Sequence, residues 1–241
     1  VMKKKCIAII LAAGQGTRMG TKTRKQYLKI AGKPILYYAV EVFDKSELID
    51  EIILVTGAGE IEYVRETIVQ EYGFEKISRI VEGGKERYDS VWNALKTIEQ
   101  SEEDDAIVFI HDGARPFPDE QILERTYEEA VKKGACVAGM PVKDTIKIVD
   151  KNRAATETPD RRTLWIVQTP QVFQSRLIIE AYRKMMRSPH ENVTDDAMAV
   201  ERMTGNPVFL VEGSYENIKV TTPEDLKIAE IFAASRNKIS R

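Results

Sequence analysis

A chain of 241 residues, 43% hydrophobic and 31% charged, holds enough apolar material for one large α/β domain or two small ones. Its apolar runs fall well short of the roughly 20 residues that cross a bilayer, so no membrane association is expected. A net charge of −2, few aromatics, two histidines and two cysteines argue against a nucleic-acid partner, a histidine-rich metal centre and a disulfide framework. Cys6 and Cys136, each inside an apolar run, read as reduced core thiols of a cytoplasmic protein.

The first apolar run, Ile7 to Leu11, is β-branched and reads as a strand buried on both faces. It is too short for a leader peptide and runs into a Gly/Arg/Lys loop rather than a cleavage site. Gly14, Gly16 and Gly20 follow, interleaved with Arg18, Lys22, Arg24 and Lys25. The first forty residues hold nine cations and no acid, on a chain that is acidic elsewhere. Cations beside glycine-rich backbone suit phosphates, because free amides and positive charge both stabilise a polyanion. The glycine spacing matches neither the P-loop nor the dinucleotide fingerprint, the latter by one residue.

A helix is predicted from Pro34 to Phe43, a buried strand over Glu51 to Thr56, and an amphipathic helix from Gly59 to Tyr72. Strand Ile77 to Val81 runs into Gly83-Gly84, helix Arg87 to Gln100 follows, and strand Ala106 to Ile110 leads into His111-Asp112-Gly-Ala-Arg115. A helix from Asp119 to Lys133 and a strand from Ala135 to Val142 complete the alternation. This order implies an α/β, Rossmann-like fold: a mostly parallel sheet with helices on both faces. Ligands in such sheets bind beyond the carboxyl ends of the strands, where the turns 14–25, 83–87 and 112–115 would line one crevice.

The alternation breaks at 142–167, which contains no convincing helix and two short alternating pieces. This stretch is either a protruding β-hairpin arm or a surface loop. Helices at Ser175–Arg187 and Thr194–Met203, strands at Pro207–Val211 and Asn217–Val220, and a helix from Pro223 to Ala234 close the chain. Thr222-Pro-Glu-Asp225 supplies a cap, a first-position proline and a capping-box acid. No linker or internal repeat divides the sequence, so residues 1–241 read as a single domain.

The motifs L-A-A-G-Q-G-T-R-M (11–19), R-K-Q-Y (24–27), G-G-K-E-R-x-x-S (83–90) and H-D-G-A-R-P-F (111–117) stand in one order along the chain. P-V-K-D-T (141–145), D-R-x-x-L-W (160–165), Q-T-P-Q-x-F (168–173), T-D-D-A (194–197) and N-I-K-V-T-x-P-E-D-L (217–226) continue it. Together they resemble the 2-C-methyl-D-erythritol 4-phosphate cytidylyltransferase family of the non-mevalonate isoprenoid route. The resemblance implies a homodimeric nucleotidyltransferase in which an acceptor sugar-alcohol phosphate attacks the α-phosphorus of CTP and pyrophosphate leaves. A phosphate monoester has a second pKa near about 6, so the nucleophile is already largely dianionic at neutral pH. Alignment and cationic charge then matter more than a general base.

By the same resemblance, Arg18, Lys25 and Lys219 serve the triphosphate and the transition state. Ala12, Ala13, Gly14, Gly16, Gly84, Ser90 and Asp112 bind CTP. Asp112, Arg115, Thr145, Arg161, Thr194 and Lys219 bind the acceptor, and Asp112 is the candidate ligand for Mg²⁺. Thr145 and Arg161 lie on the arm, which in the family crosses to the neighbouring subunit. Position 85, often aspartate in the family, is lysine here, which limits the implied roles there to backbone. Simpler readings stand beside these: Gly83-Gly84 as a tight turn, Asp112 and Arg115 as a mutual ion pair, and Thr194-Asp195-Asp196 as a helix cap. His111 reads as a structural histidine. Ribitol-5-phosphate cytidylyltransferases are the nearest alternative, disfavoured by Ala13, Ala114 and Leu164-Trp165. A catalytically dead nucleotide sensor is disfavoured by the full set of charged residues.

Overall fold

A computed structural model describes residues 3–14, 24–101, 105–188 and 192–239. Strand β1 (Cys6–Leu11) is followed by a 3-10 turn at Lys25–Tyr27 and a small ribbon of β2 (Lys29–Ile30) and β3 (Lys33–Pro34). Ala31 and Gly32 turn that ribbon with positive φ. Next come α1 (Ile35–Lys45), β4 (Glu51–Thr56), α2 (Ile61–Val64), β5 (Ile77–Glu82), α3 (Arg87–Gln100), β6 (Ile107–Asp112), α4 (Glu120–Lys133) and β7 (Ala135–Pro141). Then follow β8 (Ile148–Val149), β9 (Ala155–Glu157), β10 (Trp165–Gln174), α5 (Ser175–Met185), α6 (Asp196–Thr204), β11 (Phe209–Glu212) and α7 (Pro223–Ile239).

Seven strands form one sheet in the order β11-β7-β10-β6-β1-β4-β5. β10 runs antiparallel to both its neighbours, and every other pairing in the sheet is parallel. The alternation of side chains along β1 splits the core into two layers. Ala8 and Ile10 pack with Leu54 and Phe109 beneath α1 and α4, while Ile7 and Ile9 pack with Val55 and Val108 beneath α3 and α5. A strand buried on both faces needs apolar residues at every position, and Cys6 through Ile10 supply them.

Four details differ from the sequence reading. Helix α1 begins at Ile35, because Pro34 pairs with Lys29 in the ribbon. The helix after β4 passes from α- into π-type bonding over Arg65–Gln70. Trp165–Val167 is the first part of a long strand that the sheet carries on to Gln174. Residues 217–220 pair with no strand among the described residues; Val220 donates to the Ala114 carbonyl (2.9 Å), and this segment crosses the end of the sheet. At 142–164 the chain leaves the sheet, and β8 and β9 form an antiparallel hairpin with a polar tip. Ile148, Val149 and Ile166 in this region are about half exposed. The capping box at α7 forms as expected, with Asp225 accepting from the Thr222 amide at 2.9 Å.

Candidate active site

Three backbone bonds carry the ladder past the strand ends: Ala12 N–H to Val55 O (2.6 Å), Gly83 N–H to Thr56 O (2.7 Å) and Gly113 N–H to Leu11 O (2.9 Å). They bring the turns after β1, β5 and β6 together at the carboxyl end of the parallel strands. Gln26, almost fully buried, donates to the Ala12 carbonyl and ties the Lys25–Tyr27 turn to the end of β1. A cavity of about 300 Å³ opens between these turns. Ala12, Ala13 and Gly14 form one wall, Gly84 and Ser90 another, and Lys25, Asp112 and Lys219 are among the charged residues that line it.

The Gly83-Gly84 turn is glycine for steric reasons. A Cβ on Gly83 would stand 2.3 Å from the Ala13 Cβ, and one on Gly84 would stand 2.2 Å from the Asp89 Cβ. Ser90 Oγ accepts from the Gly84 amide (3.0 Å) and donates to the Glu86 carbonyl (3.2 Å). The hydroxyl thus first shapes this wall, with one lone pair left over.

A second cavity of about 250 Å³ adjoins the first. Arg115 and Thr194 line it, and Arg87, Asp112 and Lys219 line both. Asp112, at the end of β6, meets Lys219 Nζ (2.8 Å) and Arg115 Nε (3.8 Å) through Oδ2, and Arg87 Nε (3.3 Å) through Oδ1. Burial alone would favour the protonated acid, but the three cations outweigh it and hold this carboxyl well below the usual range. Arg115 also donates to the Asn217 carbonyl (2.8 Å). The fully buried Asn217 in turn donates to the Thr169 carbonyl (2.8 Å) and fixes the segment that carries Lys219.

His111 is fully buried beneath the site. Its Nε2 faces the Arg115 carbonyl (2.9 Å) and its Nδ1 faces Thr169 Oγ1 (3.0 Å), which accepts the Asp112 amide (3.0 Å). A carbonyl cannot donate, so Nε2 carries the proton and Nδ1 accepts from the threonine. Burial pulls its pKa down to about 4, so the ring is neutral near pH 7. Asp195 caps α6 by accepting from Met198 N–H (2.9 Å), and Thr194 immediately precedes that cap.

Thr145 and Arg161 are exposed and line neither cavity of their own chain; Arg161 donates to the Lys143 carbonyl (2.9 Å). Gly16 and Arg18 lie outside the described residues. Arg87, Gln26, Asn217 and Thr169 belong to the site although the sequence assigned them no role. All four stand inside the quoted motifs, which was the only signal available. Among the described residues no group of three or more His, Cys, Asp or Glu side chains gathers as a metal cage. The carboxylates lining the first cavity, Glu86 and Asp112, suit a cation that takes most of its ligands from phosphate and water.

Comparison with known proteins gives a consistent result. Residues 6–235 match the family model described as IspD: 2-C-methyl-D-erythritol 4-phosphate cytidylyltransferase. The chain is 49% identical over 234 residues to the 2-C-methyl-D-erythritol 4-phosphate cytidylyltransferase of Alkaliphilus oremlandii, covering 97% of each chain. It is 50% identical over 226 residues to that of Lachnospira eligens, covering 93% of this chain and 97% of the relative. The crystal structure of 4-diphosphocytidyl-2C-methyl-D-erythritol synthase from Anaerococcus prevotii superposes with a TM-score of 0.84 at 33% identity, covering 96% of this chain and 97% of the other.

Proposed function

Since this chain belongs to the 2-C-methyl-D-erythritol 4-phosphate cytidylyltransferase family, we propose that its first cavity holds CTP and its second the acceptor phosphate. The protein is a nucleotidyltransferase that transfers a cytidylyl group from CTP to 2-C-methyl-D-erythritol 4-phosphate, giving 4-diphosphocytidyl-2-C-methyl-D-erythritol and pyrophosphate in isoprenoid biosynthesis. The observation that carries the site assignment is the shared wall of Asp112, Arg87 and Lys219 between two adjoining cavities. Two anions must meet across such a wall for an in-line displacement.

In this reading the cytosine lies against Ala12, Ala13, Gly84 and Ser90, where small residues leave room for a flat base. Gly14 and Gly16 offer backbone amides to the β- and γ-phosphates. Arg18 and Lys25 hold the triphosphate, and Lys219 meets the charge that grows on the α-phosphate as pentavalent phosphorus forms. No side chain needs to remove a proton from the dianionic acceptor, which agrees with a neutral, fully bonded His111. Asp112 would hold a Mg²⁺ ion, which would supply further neutralisation of the triphosphate.

The acceptor phosphate is read by Arg115, Thr194 and Lys219, joined by Thr145 and Arg161 from a second subunit. An exposed Arg161 that lines neither cavity of its own chain and the half-exposed Ile148, Val149 and Ile166 support a homodimer built through the arm at 142–167. Residues 1–241 then act as one catalytic domain. No helix among the described residues is long and apolar enough to cross a membrane. A cytoplasmic setting fits the two buried free cysteines.

The test is pyrophosphate release by purified protein with CTP and Mg²⁺, offering 2-C-methyl-D-erythritol 4-phosphate or ribitol 5-phosphate. Turnover at least about tenfold faster with the former, and faster with CTP than UTP, is expected, because a base edge with reversed donors and acceptors leaves polar groups unpaired. Equal use of both nucleotides would remove the cytosine pocket. Preference for ribitol 5-phosphate would reassign the second cavity.

A further inference from the structure

Arg87 opens α3 and points its guanidinium between two carboxylates. Its two η nitrogens donate to Asp196, Nη1 to Oδ1 at 2.9 Å and Nη2 to Oδ2 at 2.8 Å, and its Nε faces Asp112 Oδ1 at 3.3 Å. Asp196 is fully buried and also accepts from Tyr182, whose hydroxyl is buried with it. Gln171 Oε1 accepts the amides of Asp196 and Ala197 at 3.0 Å each. Asp196 therefore cannot swing away, and the fork-to-fork pairing fixes the plane of the guanidinium. Nε, the guanidinium nitrogen not bonded to Asp196, faces Asp112.

Lys219 holds the other oxygen of the same carboxylate. A lysine at 2.8 Å from Asp112 cannot also give its full charge to a phosphate. When a phosphate draws Lys219 away, Asp112 loses one of its partners in a buried setting, where an uncompensated charge is costly. Arg87 is the cation that stays, because its own anchor, Asp196, is not part of either cavity wall. Three cations (Arg87, Arg115, Lys219) share Asp112; Arg87 has a second carboxylate, Asp196, behind it, and Lys219 is the one carried on a flexible stem.

We propose that Arg87, clamped by Asp196, which Tyr182 holds in turn, is a positioning residue that holds Asp112 so that Lys219 is released to the substrate phosphate. This rests on the reading of the two cavities given above. Arginine is required rather than lysine because one group must serve two carboxylates in fixed directions.

The test is a double-mutant cycle on kcat, with the melting temperature of each variant as a check on folding. In the otherwise native protein, Arg87→Lys should lower kcat at least about tenfold while KM for CTP and for the acceptor each move less than about threefold. In an Asp112→Asn background the same substitution should cost less than about twofold, because the group it positions is already gone. Equal losses in both backgrounds, or a loss confined to KM, would overturn the proposal and leave Arg87 a structural residue. Should Arg87→Lys fail to fold, Asp196→Asn takes its place in the cycle with the same expectations, since it keeps the shape of the clamp and removes its charge. A native protein that turns over CTP with neither acceptor overturns the functional reading and this proposal together; equal losses in an active protein overturn the proposal alone.

Discussion

The imidazole of His111 donates through Nε2 to the carbonyl oxygen of Arg115, four residues along the same chain and 2.9 Å away. This bond closes the turn that presents Asp112 to both cavities, and it joins a histidine to the site without exposing it. A group so placed affects catalysis through geometry and affects stability through its proton.

Burial holds His111 near about 4, below its ordinary 6.5. As pH falls through 6.5 the unfolded chain binds a proton at this position and the native protein does not, so stability declines with falling pH between these values. From pH 7 to pH 5 the native protein should lose about 2 kcal/mol from this source. His111→Asn should lack that increment in chemical denaturation measured at the two pH values. Activity should survive in the variant at a reduced level, since no general base is needed. Parallel pH dependences in the two proteins would show that the ring is not held neutral. Complete inactivity of a folded variant would count against a base-free transfer.

Gly83 lies where a methyl group would strike the Ala13 Cβ at 2.3 Å and Ser90 Oγ at 2.8 Å. Gly83→Ala should push the two walls of the first cavity apart, raising KM for CTP at least about tenfold and costing roughly 1–3 kcal/mol of stability. Adding Ala13→Gly removes the nearer clash and should recover part of both. An unchanged KM in the single variant would place the nucleotide elsewhere.

Arg161 and Lys219 offer a test of the subunit arrangement. Lys219→Ala and Arg161→Ala should each be nearly inactive alone. If the arm completes its neighbour's site, a mixed dimer gathers both lesions in one site and none in the other. After statistical subunit exchange roughly a quarter of all sites should be intact, as an isologous two-fold pair requires. No recovery of activity, with exchange verified by a mass label, would return Arg161 to its own chain and remove it and Thr145 from the acceptor site.

Periodicity and punctuation sufficed for most of the fold. Ile7 to Leu11 has no polar residue to expose, so it reads as a central strand from composition alone, and Gly134 ends α4 where the predicted helix stops. The segments that escaped were those whose structure comes from partners remote in sequence. Gln168–Gln174 carries polar residues that a period of two does not explain, and it is a strand because β6 and β7 both present open edges to it. Residues 217–220 have strand-like composition, yet they lie across the sheet's end, held by Ala114 and Arg115 rather than by a ladder.

The candidate site divides the same way. Sequence determined the glycine turns, the cations around them and the motif order that identifies the chemistry, because each is a local arrangement of residue types. It could not determine how those cations share their counter-charges. Arg87 and Asp196 are 109 residues apart, and Asp112 and Lys219 are also joined only through space. Whether a lysine is a solvated charge or a partner of a buried carboxylate depends on distances of a few ångströms and on exclusion of water. Only the packing of β6, α3, α6 and the crossing segment at 217–220 sets both.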